Sequence, residues 1–407
     1  MIGAVVAGLG VAAWAYLLGA RGGFWRARER DAGFAAARPA AWPSVCAIVP
    51  ARDEAAVVGD TLASLLAQDY EGAFSIVVVD DHSSDATGTI ARAIAASAPP
   101  GRVRVVAAPP LAPGWTGKLA AVAHGVREAG EVDFLLLTDA DIRHARDSLR
   151  ALVARACERR LVLASRMARL HCESAAEGAL VPAFVFFFQM LYPFAWVNDP
   201  RRRTAAAAGG CMLVDRRALA KAGGVGAIRA ALIDDCALAR LLAPHGAIEL
   251  ALSERVTSTR SYATYREIRR MVVRSAYTEL GYDPRRLAFV TTAMLIVFVA
   301  PPIVALFGDG VARALALVAW GAMAIAYRTM LAFYRRSPLL ALALPAIAAA
   351  YLAMTLESAL AHARGRGGEW KGRLQAAASP ERAFVSRRGV RSRPERAACA
   401  DLPCGRR

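Results

Sequence analysis

Phe134-Leu-Leu-Leu-Thr-Asp-Ala-Asp141 runs four apolar residues straight into two carboxylates separated by one alanine. The apolar run reads as a buried strand. A buried strand cannot hide two negative charges, so Asp139 and Asp141 must emerge at its carboxyl end. In open α/β sheets ligands bind at that end. Two acids placed there suit a divalent cation holding a diphosphate. An ordinary Asp-containing turn is the competing reading, and the flanking sequence has to decide between the two.

The pattern around this strand is α/β. Ser44–Pro50 reads as a strand, Ala55–Gln68 as a helix and Phe74–Val79 as a second strand ending in Asp80-Asp81. Thr87–Ala95 is helical, Arg102–Ala107 is a third strand, and Lys118–Ala129 is the helix before Phe134. Strands alternating with helices predict a mostly parallel, Rossmann-like sheet with helices on both faces. Each strand leaves through a polar or glycine-containing loop, where chemistry is expected.

The 407 residues are 56% hydrophobic, too apolar for a purely soluble enzyme, and carry a net charge of +17. Basic residues gather at Arg21–Arg30, at Arg201-Arg-Arg203 and along Arg364–Arg407. With no nucleic-acid motif present, this excess points to positive-inside flanks and anionic headgroups, and nucleic acid is not an expected partner. The seven cysteines include no Cys-x-x-Cys pair, which argues against a disulfide framework or a zinc site and fits a reducing compartment.

Residues 1–20 read as a membrane anchor, since the arginines follow the apolar run instead of preceding it as in a signal peptide. Residues 42–286 form the expected catalytic domain, 287–361 a membrane region of two to three spans, and 362–407 a basic tail. Leu287–Phe307, Val311–Tyr334 and Pro338–Ala361 are each long enough to cross a bilayer, which takes about 20 residues. Three crossings would put the basic tail opposite the catalytic domain, against the positive-inside tendency, so one run is expected not to be a simple span. Pro301-Pro302 in the first run, and Pro345 with Glu357 in the last, are the suspects. The aromatic stretch 183–198, broken by Pro193, is expected at the headgroup level, with a buried core helix as the alternative.

Acidic clusters recur at strand ends: Val49-Pro50-Ala-Arg52-Asp53-Glu54, Val77-Val-Val-Asp80-Asp81-His-Ser-Ser-Asp85, Thr138-Asp139-Ala-Asp141 and, later, Ile233-Asp234-Asp235. Trp115-Thr-Gly-Lys118 opens a helix between them. In this order the motifs resemble a family 2 glycosyltransferase with the GT-A fold, over about Val45 to Arg373. The stretches Pro109–Lys118, Pro182–Val214 and Leu232–Ala239 further resemble the hopanoid-biosynthesis-associated glycosyltransferases of bacteria.

That resemblance implies an inverting, metal-dependent transfer of a sugar from a nucleotide sugar, with UDP expected, to a membrane lipid at the cytoplasmic side of the bacterial inner membrane. Pro50, Arg52 and Glu54 would border the uridine pocket, and Asp80 or Asp81 would hold uracil and ribose. Asp85 would cap the following helix. Asp141 would bind Mg2+ or Mn2+, with Asp139 on the ribose or a metal-bound water. Lys118 would add charge near the donor, or simply be a solvated lysine at a helix start. Asp235 would be the general base and Asp234 would orient the acceptor; a helix N-cap is the alternative for this pair. Arg266-Glu-Ile-Arg269-Arg270 stands where relatives carry Gln-x-x-Arg-Trp, a departure that argues against a processive polysaccharide synthase. Arg269 would reach the diphosphate or lie on a solvated basic face. Two other readings stay open: loading of sugar onto polyprenyl phosphate, and a non-catalytic membrane scaffold of a lipid-synthesis complex.

Overall fold

In the computed structural model the described residues are 1–33, 38–365 and the two-residue strands Glu369–Trp370 and Arg373–Leu374. The rest of the expected basic tail, with Cys399 and Cys404, lies outside them. Among the described residues one mixed sheet holds eight strands: β1 Val45–Ala51, β2 Phe74–Asp80, β3 Val103–Ala107, β4 Phe134–Thr138, β5 Ile142–His144, β6 Leu161–Arg169, β7 Cys211–Asp215 and β8 Ala247–Ser258. Their spatial order is β3-β2-β1-β4-β7-β6-β8-β5.

The first half of the sheet is parallel, as the alternating pattern predicts. Ile48 of β1 sits level with Val77 on one side and Leu137 on the other. Both faces of these strands are covered, so β1 and β4 read as continuous apolar runs without alternation. The second half mixes directions within a mostly parallel sheet: β6 pairs parallel with β8, whereas β7 runs antiparallel to both β4 and β6, and β5 runs antiparallel to β8. β1, β2 and β4 carry their carboxyl ends, and hence their acidic loops, to the same edge.

The two faces lead to two cores. Val45, Val49, Ile76 and Leu136 pack against the helices Val58–Leu66 and Ser148–Arg159. Cys46, Ile48, Val77 and Leu137 belong to a core that continues without interruption into Trp14, Phe186, Tyr327 and Tyr351 of the long apolar helices. Residues 1–377 accordingly form one compact unit.

Among the described residues four helices are long and apolar enough to cross a membrane: Ile2–Gly19, Pro284–Phe307, Gly310–Phe333 and Pro338–Ala363. The last differs from the others. Of its apolar window 44% is buried inside the protein, against at most 28% elsewhere. It bonds to the catalytic domain along its length: Tyr351 Oη donates to Leu180 O at 2.9 Å, Glu357 pairs with Arg269, and Ser358 Oγ accepts from Tyr277 N at 3.1 Å.

Much of the aromatic stretch 183–198 packs inside the protein, as in the alternative reading of a buried core helix. It forms the end of the helix Ala175–Leu191 and the short helix Phe194–Val197. Phe186 and Phe194 are fully buried, with Phe186 against Phe24 and Tyr327, and Phe187 against Phe298 and Tyr351. Aromatic rings serve a protein core as well as an interface, and composition does not tell which. This helix joins the sheet to the apolar helices.

Candidate active site

The acidic strand ends open into a cleft of about 630 Å³. Pro50 at the end of β1, Glu54 beyond it, and Asp139 and Asp141 beyond β4 line its floor. Lys118, from the helix Gly117–Glu128, and Asp234, at the start of the helix Asp234–Leu242, close one side. Arg260, Ser261 and Tyr262 follow β8 on the other, and Arg270 and Arg274 from the helix Tyr265–Glu279 also line the cleft.

Lys118 is the centre of the floor. Its Nζ lies 2.8 Å from Asp139 Oδ1 and 3.0 Å from Asp234 Oδ2, so the solvated reading does not hold. Burial works against this ammonium, but the two flanking carboxylates outweigh it and hold it protonated above the usual lysine range. Asp139 shifts upward because it is buried, with Asp141 and Asp234 adding like charge and Lys118 opposing.

Asp235 follows Asp234 in the same helix but, unlike it, does not line the cleft. Its Oδ2 accepts from Gly209 N at 2.9 Å and its Oδ1 from Cys236 N at 2.7 Å. A Cβ at Gly209 would make only ordinary contact, at about 3.5 Å, with Asp235 Oδ2 and Lys118 Nζ, whereas one at Gly210 would fall 2.9 Å from Ile142 Cδ1. Burial, and then the neighbouring Asp234, push Asp235 up to about 7.

The residues expected around the nucleotide base cluster beside the cleft at the ends of β1 and β2. Arg52 Nη1 donates to the carbonyl of Asp81 at 2.6 Å, and Asp81 is buried. Asp80 Oδ1 accepts from Ser83 N at 3.0 Å and faces the start of the helix Thr87–Ser97, where a Cβ on Gly88 would fall 2.3 Å from Asp80 Oδ2. Asp85 is expected to cap the next helix, but Ala86 holds the N-cap position of Thr87–Ser97; Asp85, one residue earlier, accepts from Thr87 N at 2.9 Å and from Ala55 N at 3.0 Å. Of the expected donor residues, Pro50, Glu54, Lys118 and Asp139 line the cleft, whereas Arg52, Asp80 and Asp81 shape the loop next to it.

Arg269 is the clear departure. It pairs with Glu357 of the last apolar helix, with Nε 2.7 Å from Oε2, and is absent from the cleft lining. Helical geometry explains this: the next residue, Arg270, and Arg274 one turn later share the face that meets the cleft. The sequence reading also missed Arg260, whose Nε donates to Asp141 Oδ2 at 2.8 Å and whose Nη2 pairs with Glu54. It missed Glu177 too. This carboxylate is fully buried and accepts from Tyr262 N at 2.7 Å, from Ser261 Oγ at 3.2 Å, and from Glu173 N and Ser174 N. Ser174-x-x-Glu177 is a legible capping box, but nothing local marks its second role at the cleft.

The donor set suits a hard divalent cation. Asp139 commits Oδ1 to Lys118, and Asp141 commits Oδ2 to Arg260 and Ser258, which leaves each carboxylate a second oxygen. Among the described residues no group of three His, Cys, Asp or Glu side chains forms a closed metal site. The remaining ligands would have to be phosphate oxygens and water, the usual company of Mg2+ at a nucleotide.

No curated protein sequence matches the chain. Among solved structures, the mannosyltransferase PcManGT from Pyrobaculum calidifontis, determined with GDP-Man and Mn2+, is similar at 22% identity, covering 87% of this chain and 99% of that one with a TM-score of 0.55. Mannosyl-3-phosphoglycerate synthase from Rubrobacter xylanophilus matches at 19% identity over 62% of this chain and 80% of that one, with a TM-score of 0.39. Glucosyl-3-phosphoglycerate synthase from Mycobacterium tuberculosis, in complex with phosphoglyceric acid, matches at 20% over 59% and 80%, with a TM-score of 0.36. The fold is GT-A. Residues 43–278, more than half of the chain, match the family model described as glycosyltransferase like family 2, and the chain belongs to that family of enzymes.

Proposed function

We propose that this glycosyltransferase moves a sugar, with inversion, from a nucleoside diphosphate sugar to a hydroxyl of a membrane lipid. UDP is the expected nucleotide and a hopanoid the expected acceptor, both on the strength of the sequence resemblance. The observation that carries the lipid reading is the wall of the cleft. Arg270 and Arg274 line it from a helix that also bonds, through Arg269, Val273 and Tyr277, to the apolar helix Pro338–Ala363. An acceptor held in a bilayer would arrive beside that helix.

The proposed roles are these. Asp235, pushed up to about 7, takes the proton of the acceptor hydroxyl. Asp234 is held by Lys118 and positions the acceptor. The oxygen then attacks the anomeric carbon from the face opposite the nucleotide. Asp139 and Asp141 would hold Mg2+ or Mn2+, which when bound neutralises the departing diphosphate. Lys118 adds a fixed positive charge on the same side.

The orientation proposed is that of a bacterial inner-membrane protein with its catalytic domain in the cytoplasm. Arg21, Arg26, Arg28 and Arg30 directly after the first apolar helix support it.

The test is transfer from radiolabelled UDP-sugar, with GDP-sugar in parallel, using membranes containing the protein and lipid extracts. Label in a hopanoid supports the reading. Label in an acid-labile polyprenyl phosphate, or none, overturns it. An Asp141→Ala protein that transferred sugar at the normal rate would remove the metal role.

A further inference from the structure

Arg260 stands two residues beyond β8 and reaches across to the ends of two other strands. Its Nε donates to Asp141 Oδ2 at 2.8 Å, past β4, while its Nη2 pairs with Glu54, past β1. The Arg260 side chain is 29% exposed and Asp141 14%, so the bridge forms part of the cleft wall. Burial works against the Arg260 charge, but Asp141 and Glu54 outweigh it and hold it protonated above the usual range. Asp141 is also the carboxylate assigned above to a divalent cation. A guanidinium in contact with that carboxylate and a dication on it would repel each other strongly in a partly buried cleft. One of them has to give way.

The backbone that carries Arg260 is held on both sides. Thr259 N and Oγ1 donate to Asp141 O at 2.8 and 3.0 Å. Tyr262 N and Ser261 Oγ donate to the buried Glu177. The moving part is therefore the arginine side chain. Its planar fork of donors matches phosphate oxygens as well as it matches carboxylates.

We infer that Arg260 is a resident counter-ion that neutralises Asp141 and Glu54 in the donor-free enzyme, yields Asp141 to the divalent cation, and moves its guanidinium onto the donor's diphosphate. The inference rests on the metal role proposed for Asp141. It makes cation and donor bind together, because the diphosphate draws away the arginine that competes for Asp141.

Mn2+ titration of the purified full-length protein, followed by the electron paramagnetic resonance signal of free Mn2+, reads this directly without turnover. Wild type should bind Mn2+ weakly alone and tightly with UDP or GDP. Arg260→Gln should tighten nucleotide-free Mn2+ binding roughly tenfold, since it removes the competing charge, and should weaken nucleotide binding at saturating Mn2+. Unchanged or weaker nucleotide-free binding overturns the counter-ion role. In that case the metal site still stands if nucleotide-dependent Mn2+ binding is present in wild type and lost in Asp141→Asn. If wild type binds no Mn2+ even with nucleotide, the metal role falls and takes this inference with it. A melting curve checks that Arg260→Gln is folded. Should it not fold, Arg260→Lys must show a smaller change in the same direction, and no change there overturns the proposal.

Discussion

Asp234 and Asp235 are neighbours in sequence but not equivalent in chemistry. Asp234 lies 3.0 Å from the Lys118 ammonium, an ion pair that occupies its Oδ2. Asp235 has no such partner at that distance, and burial beside Asp234 raises it to about 7. Asp235→Asn should cut turnover by roughly a hundred- to ten-thousandfold while leaving nucleotide binding intact. Asp234→Asn should instead raise the acceptor KM with a smaller loss of kcat. Steady-state kinetics with nucleotide affinity measured in parallel checks both, and the reverse pattern would make Asp234 the base. The pH profile follows from the same shift. The base works deprotonated, so kcat/KM should level off above about pH 7 and fall about tenfold per unit below it. An acid limb centred near pH 4 would mean that a carboxylate in the ordinary range is doing the work.

At the scale of elements, the strip Arg260–Tyr262 is anchored by the helix Ala175–Leu191 through Glu177. Burial alone would raise the Glu177 carboxyl, but hydrogen bonds from Ser174, Tyr262, His171 and Glu173 outweigh it and bring it down to about 2. A folded-state pKa below the unfolded value stabilises the protein above the unfolded pKa, and the stabilisation is lost as pH falls through the folded one. The melting temperature of Glu177→Gln should therefore lie below wild type by a constant amount above about pH 5, equivalent to about 2–3 kcal/mol, and the gap should close towards pH 2. A gap independent of pH would show that shape, not charge, holds the strip. The arginine-rich helix offers a second contrast. Arg270→Ala removes a cation from the cleft and should lower kcat/KM on the order of tenfold, whereas Arg269→Ala breaks a half-exposed pair with Glu357 and should cost less than about threefold. The two differ by one position, and this is where sequence reading reached its limit. β1, β2 and β4 were legible because their burial on both faces leaves each an apolar run of three residues or more, and their acidic exits followed. The antiparallel β7 was not, because pairing direction leaves no mark within a five-residue strand. Arg260 could not be found either, as its partners lie 119 and 206 positions away and no local pattern surrounds it.

At the scale of the whole molecule, the path of the chain through a bilayer turns on the last apolar helix. If all four candidates crossed, a catalytic domain in the cytoplasm would leave residues after Ala363 on the far side, with the basic segment that begins at Arg364. The contacts argue for a different path. Ile2–Gly19 enters the domain through Arg21, which donates to Met190 O at 3.1 Å, and Pro284–Phe307 leaves it directly after the helix Tyr265–Glu279. Gly310–Phe333 returns, since Arg30 stacks on Phe333 and Leu170 N donates to Tyr334 Oη. Pro338–Ala363 then runs against the domain, bonded to Leu180, Arg269 and Tyr277, and its Glu357 is neutralised there instead of meeting lipid. On this path, three crossings with one helix lying against the domain would leave Arg364 on the same side as Arg21–Arg30, in line with the positive-inside tendency. The prediction is a labelling pattern. In a chain whose native cysteines are replaced, Asp309→Cys, between the second and third crossings, should react with a membrane-impermeant maleimide added to intact spheroplasts. Arg364→Cys should react only after the membrane is opened. Reaction of Arg364→Cys from outside would make the last helix a fourth crossing, and the bonds from Tyr351, Glu357 and Ser358 to the catalytic domain would then have to break in the membrane-bound enzyme.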